Sequence, residues 1–365
     1  MTDRRITRRN FMRDGAAAAA GIAAAGMAAG SAAAAKTATT PGVKTKTRSY
    51  NAEMEYRRLG KTGLWVSAVS LGGHWKAMNR VIKGRVPGLA RPVTEANGAA
   101  LLKNRHDVVT RCLEVGINFV DACTIAEVSA YGPALKGRRE EMYLGFALWP
   151  KCPRRKEYRT AKVLLETLEE GMKLAGVDYV DVYRLVVHER GARHTQAEVE
   201  EIVEALAKAK KQGKCRFTGV SSHDRRWLKM LIEKYPDEMQ VVLFPYTAAS
   251  KELPTDSLFD AVRNQDVGTF GIKPFANASL FRGAKTQEEK DRRARLAIRY
   301  ILANPAITAP IPGLASAREV DNMALAVKEC RKLDASEKAE LDRAGREMWA
   351  NLPEGYEWLR DWQYV

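Results

Sequence analysis

GINFVDACTIAEVSAYGPALKGRREE, residues 116–141, is the stretch that decides the fold. The apolar run of residues 117–120 ends abruptly in the carboxylate of Asp121, which is typical of a buried strand with a charge at its carboxyl end. The helix that follows ends near Gly137, and charged residues then lead into a second apolar run, residues 142–148. Active sites of α/β barrels lie where such strands end. The stretch therefore predicts one unit of a barrel and marks Asp121 as a candidate catalytic residue.

The same alternation continues along the rest of the chain. Eight apolar runs have the length of strands: residues 66–71, 117–121, 142–148, 181–188, 215–222, 241–246, 267–275 and 307–314. Amphipathic helical patterns separate them, as in parallel βαβ units. Eight parallel strands need both faces of their sheet covered, and a closed (β/α)8 TIM barrel achieves this economically. The sequence therefore predicts this α/β fold.

Segments outside these units predict additions to the barrel. Residues 60–63, Gly-Lys-Thr-Gly, supply a tight turn between two short strands and predict an N-terminal β-hairpin. Residues 75–100 lack apolar periodicity and predict a long loop at the substrate mouth. Residues 334–352 predict an extra C-terminal helix. The aromatic tail after that helix is expected to pack back on the barrel: Tyr356, Trp358, Trp362 and Tyr364.

The first 35 residues have the features of an export signal. Arg8 and Arg9 precede an alanine-rich, weakly apolar run with small-residue cleavage sites, which is the twin-arginine pattern. A transmembrane anchor is the alternative, although an anchor would need about 20 more strongly apolar residues. The mature protein is therefore expected in the periplasm or otherwise outside the cytoplasm, without a stable membrane span. The predicted segments are a signal peptide (1–35), a disordered linker (36–50), the barrel (51–333) and the C-terminal helix with its tail (334–365).

Composition restricts the ligands. The formal net charge is +16, and the five arginines and two aspartates of the first 35 residues account for only three of these charges. Such a basic chain suggests an anionic small molecule or surface, whereas its scattered charges, without an arginine-rich arm, argue against nucleic acid. The five cysteines are an odd number and lack CxxC spacing. They argue against a structural zinc site or a dense disulfide framework, and no metal is expected.

Several segments resemble the aldo-keto reductase superfamily. The matching motifs follow the family's order over residues 54–328: GKTGLWVSAVSLGG, GINFVD, ALKGRR, DYVDVYRL, GKCRFTGVSSHD, GIKPF and AIRYILANPAITAPIPGL. The resemblance implies NAD(P)-dependent oxidoreduction of a carbonyl or sugar, with NADP as the expected cofactor. It also implies a tyrosine that donates a proton, a lysine paired with an aspartate that tunes this tyrosine, and a histidine that orients the substrate.

This sequence departs from that catalytic set. Asp121 matches the aspartate, but small or apolar residues stand at the tyrosine, lysine and histidine positions: Ala126, Ala147 and Val186. Three nearby residues are possible shifted replacements: Tyr131, Lys151 and His188. Tyr131 has the alternative interpretation of a packed helix aromatic. Glu127 is a possible general acid or base on the second βα loop, so the candidate catalytic residues are Asp121, Glu127, Tyr131 and His188.

The resemblance also implies cofactor contacts. The candidates are Gly72, Gly73, Ser221, Ser222, Lys273 and Gly313, with Ser222 standing where the family has an asparagine. Lys273 is the cation best placed by the family match to meet an anionic ligand. Leu243 replaces a glutamine, Met323 lies on the adenine side, and Glu319 stands where an arginine would meet the 2′-phosphate of NADPH. We therefore predict weak or absent binding of free NADPH.

An ion pair inside the barrel is predicted to compensate for the missing lysine. Side chains alternate along a strand, so Arg184 faces the barrel interior together with Val186 and His188. A buried Asp121 without a cation would be costly, and Arg184 is within plausible reach of it. The alternative is that Arg184 pairs elsewhere.

Three kinds of function stay open at this point. The default is oxidoreduction, and the alternatives are a non-catalytic binding or scaffold barrel and non-redox acid and base chemistry on a carbohydrate, with Asp121, Glu127 and His188. Cys123 has no histidine adjacent in sequence, which favours a buried, inert cysteine over a nucleophile. His74 and His223 each follow a strand end and could either reach the mouth or lie in exposed loops.

Overall fold

This computed structural model describes residues 46–73 and 78–361. The predicted signal peptide lies outside the described residues, as do His74, Trp362 and Tyr364. The strands are β1 (Tyr56–Arg58), β2 (Trp65–Ser67), β3 (Phe119–Thr124), β4 (Tyr143–Trp149), β5 (Val180–Val186), β6 (Cys215–Ser221), β7 (Val241–Pro245), β8 (Gly268–Ile272) and β9 (Ala309–Ile311). The α-helices are α1 (Glu95–Glu114), α2 (Ile125–Ala134), α3 (Ala161–Ala175), α4 (Gln196–Lys211), α5 (Arg225–Lys234), α6 (Leu258–Asn264), α7 (Gln287–Ala303), α8 (Ala317–Lys328), α9 (Ala335–Ala350) and α10 (Trp358–Asp361).

Strands β3 to β9 form one parallel sheet in sequence order, as consecutive βαβ units do. Leu71 forms a bridge with Val120 of β3, and Gly72 forms one with Gly313 just after β9, so a short extended segment closes the sheet. The predicted (β/α)8 TIM barrel is confirmed. The predicted hairpin is β1 paired antiparallel with β2.

The first barrel strand is shorter than predicted. The apolar run 66–71 is divided, because its start belongs to β2 of the hairpin and only its end reaches the barrel. There the Ser70 backbone N–H donates to the Pro310 carbonyl at 3.0 Å. Apolar periodicity does not distinguish a hairpin strand from a barrel strand. The sequence therefore predicted residues 66–71 as one strand.

The loop predicted over residues 75–100 also ends earlier than expected, because α1 begins at Glu95. The Thr94 backbone N–H donates to Oδ1 of Asn97 at 2.9 Å, one half of a capping box. Gly98 is non-helical within this first turn. The start of this helix could not be recognised in the sequence, because Asn97 stands where a capping box usually has Glu or Gln and Gly98 follows it.

Apolar side chains fill the end of the barrel that lies next to the hairpin. The rings of Phe119 and Phe270 lie 4.5 Å apart between centroids, and Leu59 and Val66 of the hairpin region belong to the same buried cluster. The barrel interior is therefore a packed core at this end. Polar chemistry is left to the carboxyl ends of the strands.

The chain just before the barrel is anchored, which corrects the end of the linker predicted over residues 36–50. Arg48 donates to the buried carboxylate of Asp181 at 3.2 Å. Arg139 and Arg216 bind the same carboxylate at 2.7 and 2.9 Å. A buried carboxylate requires such partners, and Arg48 is held by a contact that composition alone could not indicate.

The extra C-terminal helix is confirmed as α9. Tyr356 and Trp358 of the tail pack against the buried cluster that contains Ala276, Leu296 and Leu341. Trp358 reaches the carboxyl ends of the strands, where it stacks on His223. Among the helices of the described residues, none has the length and apolar character that a membrane crossing requires.

Candidate active site at the carboxyl ends of the strands

A carboxylate and a guanidinium meet inside the barrel. Arg184 of β5 donates from Nε to Oδ1 of Asp121 at 2.8 Å and from Nη2 to Oδ2 at 2.5 Å. Gly145 of the intervening strand β4 pairs with Asp121, and a Cβ atom there would lie 2.8 Å from the Phe119 ring and 3.1 Å from the carboxylate. The glycine therefore leaves room for the Phe119 ring and the Asp121 carboxylate, which Arg184 reaches from the other side of β4. The ion pair predicted from the sequence is confirmed.

Both charges of this pair are almost inaccessible to solvent, with side chains 3% exposed for Arg184 and 7% for Asp121. Burial by itself lowers the pKa of Arg184, but the Asp121 carboxylate outweighs it, and the pKa is raised above its ordinary value. The planar fork of a guanidinium matches a carboxylate in this bidentate geometry. Arg184 is therefore a fixed cation that holds Asp121 and not a proton donor.

An apolar cluster lies close to the pair. Ala147 and Val186, at the positions where the family motif has lysine and histidine, pack together with Cys123 and Cys152. Burial raises the pKa of the Cys123 thiol to about 11, so this thiol is protonated at neutral pH. The geometry supports the interpretation of Cys123 as an inert cysteine.

Two of the possible shifted replacements make structural contacts, and a catalytic role stays a prediction for both. Tyr131 is buried in α2, and its hydroxyl donates to the Gly72 carbonyl at 2.8 Å. Burial raises the pKa of this phenol, whereas a proton donor near neutral pH needs a lower one. Lys151 forms an ion pair with Glu170 of α3 at 2.6 Å. The interpretation of Tyr131 as a packed helix aromatic fits these contacts.

Glu127 belongs to the N-terminal cap of α2, and its role as a general acid or base stays a prediction. Its Oε2 accepts hydrogen bonds from the backbone N–H groups of Cys123 at 2.7 Å and Thr124 at 3.1 Å. The residue is fully buried, and a Cβ atom at Gly73 would lie 2.2 Å from its carboxyl carbon. The Thr-x-x-Glu spacing before an apolar run is a capping-box signal that the sequence did contain.

His188 follows β5, but its ring is bound within its own loop. Nδ1 accepts from the backbone N–H of Arg190 at 3.1 Å, and Nε2 lies 3.2 Å from Nη1 of Arg193. Burial lowers the pKa of His188, so its imidazole is neutral at pH 7. These contacts do not bring the ring together with Asp121, and the catalytic role of His188 stays a prediction.

His223 lies at the mouth and is buried there. The Trp358 ring stacks on it with centroids 4.0 Å apart and planes 16° from parallel. Nζ of Lys273 lies 5.8 Å from the centroid of the same indole. The tail is therefore part of the mouth, and no local sequence pattern predicted this contact.

The predicted cofactor serines, Ser221 and Ser222, lie at the carboxyl end of β6. Ser221 is buried as the last residue of the strand. The Ser222 hydroxyl donates to the His188 carbonyl at 3.3 Å and accepts from the Asp224 backbone N–H at 3.1 Å. Ser222 thus stabilises the loops around the mouth, and the cofactor contacts of both serines stay predictions.

The predicted cofactor glycines Gly72, Gly73 and Gly313 lie where the barrel closes. A Cβ atom on Gly313 would lie 2.4 Å from the Gly73 carbonyl oxygen, and one on Gly72 would lie 2.7 Å from that of Pro312. This close approach of two backbones explains why glycine is needed at these positions. A role in cofactor binding stays a prediction for each of them.

The residues at the expected 2′-phosphate position do not fit that group. Helix α8 begins there after its N-cap Ser316, and Oε2 of Glu319 accepts from the Ala315 backbone N–H at 2.6 Å. A carboxylate in the first helical turn already compensates the positive end of the helix dipole and would repel a phosphate. Leu243 and Met323 are buried apolar residues. NADP is therefore not the cofactor that these side chains favour.

Comparison with known proteins finds similarity to aldo/keto reductases. A model of the aldo/keto reductase family matches residues 97–295. L-Galactose dehydrogenase of Arabidopsis thaliana is 26% identical in an alignment of 309 positions that covers 77% of this chain and 90% of the relative. L-Glyceraldehyde 3-phosphate reductase of Escherichia coli is 26% identical in an alignment of 244 positions that covers 62% of this chain and 63% of the relative.

Solved structures share the fold. Aldo-keto reductase AKR11C1 from Bacillus halodurans, in its holo form, aligns with a TM-score of 0.57 at 20% identity over 83% of this chain and 99% of its own. The thermostable aldo-keto reductase Tm1743 in complex with the inhibitor epalrestat aligns with a TM-score of 0.58 at 22% identity over 80% and 100% of the two chains.

Proposed function

The chain belongs to the aldo/keto reductase family, and we propose that it is an exported oxidoreductase of small carbonyl or sugar molecules that lacks the family's usual proton-donor set. The observation that carries this proposal is the ion pair of Asp121 and Arg184. The barrel keeps a charged pair at the ends of its strands, but β5 supplies the cation.

The surroundings of Asp121 and Arg184 indicate what each of them does in the reaction. Arg184 does not deprotonate at working pH, so it neutralises and orients Asp121. Reduction of a carbonyl needs a hydride at carbon and a proton at oxygen, and a nicotinamide cofactor supplies the hydride when it is bound. Because Tyr131 and Glu127 are held in structural hydrogen bonds, we assign the proton to solvent. General acid catalysis typically contributes a factor of 10² to 10⁴, so turnover is expected to be slow.

Glu319 supports NADH over NADPH. Its carboxylate lies in the first turn of α8 and disfavours the 2′-phosphate that distinguishes the two cofactors. The repulsion does not apply to the 2′-hydroxyl of NADH. We therefore expect NADH to be the better of the two.

The relatives support a polyhydroxylated substrate, because their names refer to a sugar and to a phosphorylated three-carbon aldehyde. Export rests on Arg8, Arg9 and the alanine-rich run after them. Acid and base chemistry on a carbohydrate is less well supported, since Glu127 caps a helix and the His188 ring is bound in its loop.

The test is a turnover assay of the mature chain with NADH or NADPH and a panel of aldoses and small aldehydes. We expect slow reduction of a carbonyl substrate, coupled to oxidation of the reduced cofactor and faster with NADH than with NADPH, and we expect the double substitution Asp121→Asn/Arg184→Leu to abolish it. Lys103→Met, which removes an exposed cation of α1 that pairs with Asp107 away from the strand ends, is the control. Binding of a cofactor without hydride transfer to any carbonyl would instead support a non-catalytic barrel.

A further inference from the structure

The loop between the closing segment of the barrel, at residues 71–72, and helix α1 carries charge of one sign. Residues 78–94 contain Lys and Arg but no Asp or Glu. The four cations of this stretch are exposed, and none of them forms an ion pair within the described part of the chain: Arg80, Lys83, Arg85 and Arg91. The loop therefore presents uncompensated positive charge to solvent.

Apolar side chains hold the inner side of this loop against the barrel. Met78 and Val93 are buried in the main core cluster, and Ile82 packs against that cluster. The carbonyl of Leu89 accepts a hydrogen bond from the backbone N–H of Ala126, in the first turn of α2, at 3.0 Å. Because the apolar residues are held inside, the charged side chains are left on the outer surface.

Val81 is an exception to this division of the loop. Its side chain is 42% exposed, although Ile82 beside it packs inward. A single exposed apolar residue is common on protein surfaces. This one, however, lies between Arg80 and Lys83, and an apolar side chain flanked by cations is typical of segments that lie in the interface of an anionic bilayer.

Two neighbouring loops extend the positive surface along the rim of the barrel. The closing segment, β3, β4 and β5 are adjacent in that order, so the loops after the closing segment, β4 and β5 lie along one side of the carboxyl rim. Nε of Arg154, after β4, donates to the carbonyl of Val187, after β5, at 3.0 Å and joins the two loops. These loops add two exposed cations that form no ion pair within the described residues: Lys156 and Arg190.

Many exposed cations elsewhere on the molecule lie beside an acid. Arg58 pairs with Asp266 at 2.6 Å at the other end of the barrel, and Lys103 pairs with Asp107 at 2.6 Å on α1. Such pairs cancel most of the field that a charge exerts at a distance. The loop of residues 78–94 contains no acid that could do the same.

We propose that residues 78–94, 150–160 and 187–195, which we call the basic rim, bind the surface of an anionic phospholipid bilayer. The lipid phosphates supply the negative charge that the exposed cations of the basic rim lack, and Val81 enters the boundary between headgroups and acyl chains. Attraction of this kind falls off within about a Debye length, so binding is expected to weaken as salt is added.

The basic rim occupies one side of the mouth. Strands β6 to β8, whose ends carry the contact of Trp358 with His223, follow β5 in the sheet and belong to the other side. A bilayer bound at the basic rim therefore lies beside the mouth. The inference goes beyond the proposed function, because it requires neither a cofactor nor turnover.

The test is cosedimentation of the mature chain with vesicles of phosphatidylcholine alone or of equal parts phosphatidylcholine and phosphatidylglycerol. Residues 1–35 are left out, because their apolar run could bind lipid by itself. We expect binding to the mixed vesicles at low ionic strength, release as salt is added, and little binding to phosphatidylcholine alone.

Glutamine in place of all four cations of residues 78–94 is expected to weaken binding to the mixed vesicles by roughly 100-fold, since each Lys or Arg near an anionic surface contributes a factor of about five. The matched control replaces four exposed cations that lie outside the basic rim and form no ion pair within the described residues: Lys136, Lys173, Lys211 and Lys332. It removes the same total charge and should weaken binding severalfold at most. Thermal unfolding of both variants should match that of the unsubstituted chain, because exposed side chains without partners contribute little to stability.

Val81→Ser tests the apolar contact without a change of charge. We expect this variant to bind the mixed vesicles about fivefold more weakly, because a hydroxyl replaces a side chain that would leave water on binding. Unchanged affinity would contradict the entry of Val81 into the bilayer.

Four further results would each overturn the proposal. These are equal binding to both kinds of vesicle, unchanged binding of the glutamine variant, an equal loss in its control, and binding of the mature chain to dextran sulfate but not to vesicles. The last result would identify an anionic polymer as the partner. None of the measurements involves a nicotinamide cofactor, so failure of the basic rim is distinguishable from failure of the proposed oxidoreductase activity.

Discussion

Asp121 keeps a cationic partner although the strand that usually supplies it carries Ala147. Arg184 reaches Asp121 from β5 across Gly145, and both charges are buried. Removal of one partner from a buried pair leaves an uncompensated charge, which is far more costly than the loss of the contact itself. The stability of the barrel and the chemistry of its mouth are thus coupled at this position.

Arg184→Leu is expected to lower the free energy of unfolding by roughly 3 to 5 kcal/mol, because Asp121 is left buried and charged. The double change with Asp121→Asn should recover part of that loss, as expected for side chains in direct contact. Urea unfolding of the two single variants and the double variant measures this. Additive losses in the double variant would show that the two residues act independently.

Tyr131→Phe is expected to cost about 1 kcal/mol of stability, since one buried hydrogen bond to the Gly72 carbonyl disappears. Turnover should be unchanged, because the phenol has a raised pKa and is used within the fold. Steady-state kinetics of this variant measures whether turnover depends on the Tyr131 hydroxyl. Complete loss of activity in a folded variant would restore Tyr131 as the proton donor.

At the scale of elements, Asp181 of β5 ties the segment before the barrel to the sheet. Its carboxylate binds Arg48, Arg139 and Arg216 and accepts from the Leu144 backbone N–H. Burial by itself would raise the pKa of Asp181, but the arginines outweigh it and lower the pKa below its usual range. Asp181→Asn is expected to lower the free energy of unfolding by roughly 3 to 5 kcal/mol at pH 7.

The pH dependence of that loss follows from the direction of the shift. A carboxyl group with a lowered pKa in the folded state stabilises the fold above its unfolded pKa of about 4, and this contribution is lost as the pH falls toward the folded pKa. The stability difference between Asp181→Asn and the unsubstituted chain should therefore shrink below about pH 4. A difference that stays constant from pH 7 to pH 3 would contradict the assignment.

The sequence predicted the strands and helices well wherever a stretch of the chain fits a single structural pattern. The alternation of strands and helices gave β4 to β9, and side-chain alternation along β5 gave the inward direction of Arg184. The sequence-based interpretation was incomplete where one stretch of sequence fits two structural patterns. The run 66–71 serves the hairpin and the barrel seam, and Glu127, read as a mouth carboxylate, completes a helix cap.

Contacts between distant segments could not be predicted from the sequence. The stacking of Trp358 on His223 depends on how the tail folds over the strand ends, and the hydrogen bond from Arg225 to the Pro245 carbonyl depends on how α5 packs beside β7. Neither has a periodic or motif-like signal. The sequence therefore showed which residues of the family motif are missing and that Arg184 could pair with Asp121, whereas the contact of the tail with His223 required the fold.

At the scale of the whole molecule, the basic barrel is expected to leave the cytoplasm through its twin-arginine signal. Replacement of Arg8 and Arg9 by lysine should retain the chain inside the cell, because that route recognises the arginine pair. Cell fractionation with an antibody against the barrel measures the distribution. Normal export of the variant would refute the assignment.

We expect the cofactor site of this barrel to disfavour the 2′-phosphate of NADPH, because Glu319 lies in the first turn of α8. Calorimetric titration of the mature chain with NADPH and NADH tests it directly, with Glu319→Gln as the matched variant, which keeps the cap to Ala315 and removes the charge. We expect weak or undetectable NADPH binding, tighter NADH binding, and a gain in NADPH affinity of about tenfold in Glu319→Gln, for one repulsive contact worth about 1.4 kcal/mol. A submicromolar Kd for NADPH in the unsubstituted chain would show that the site accepts the 2′-phosphate despite Glu319.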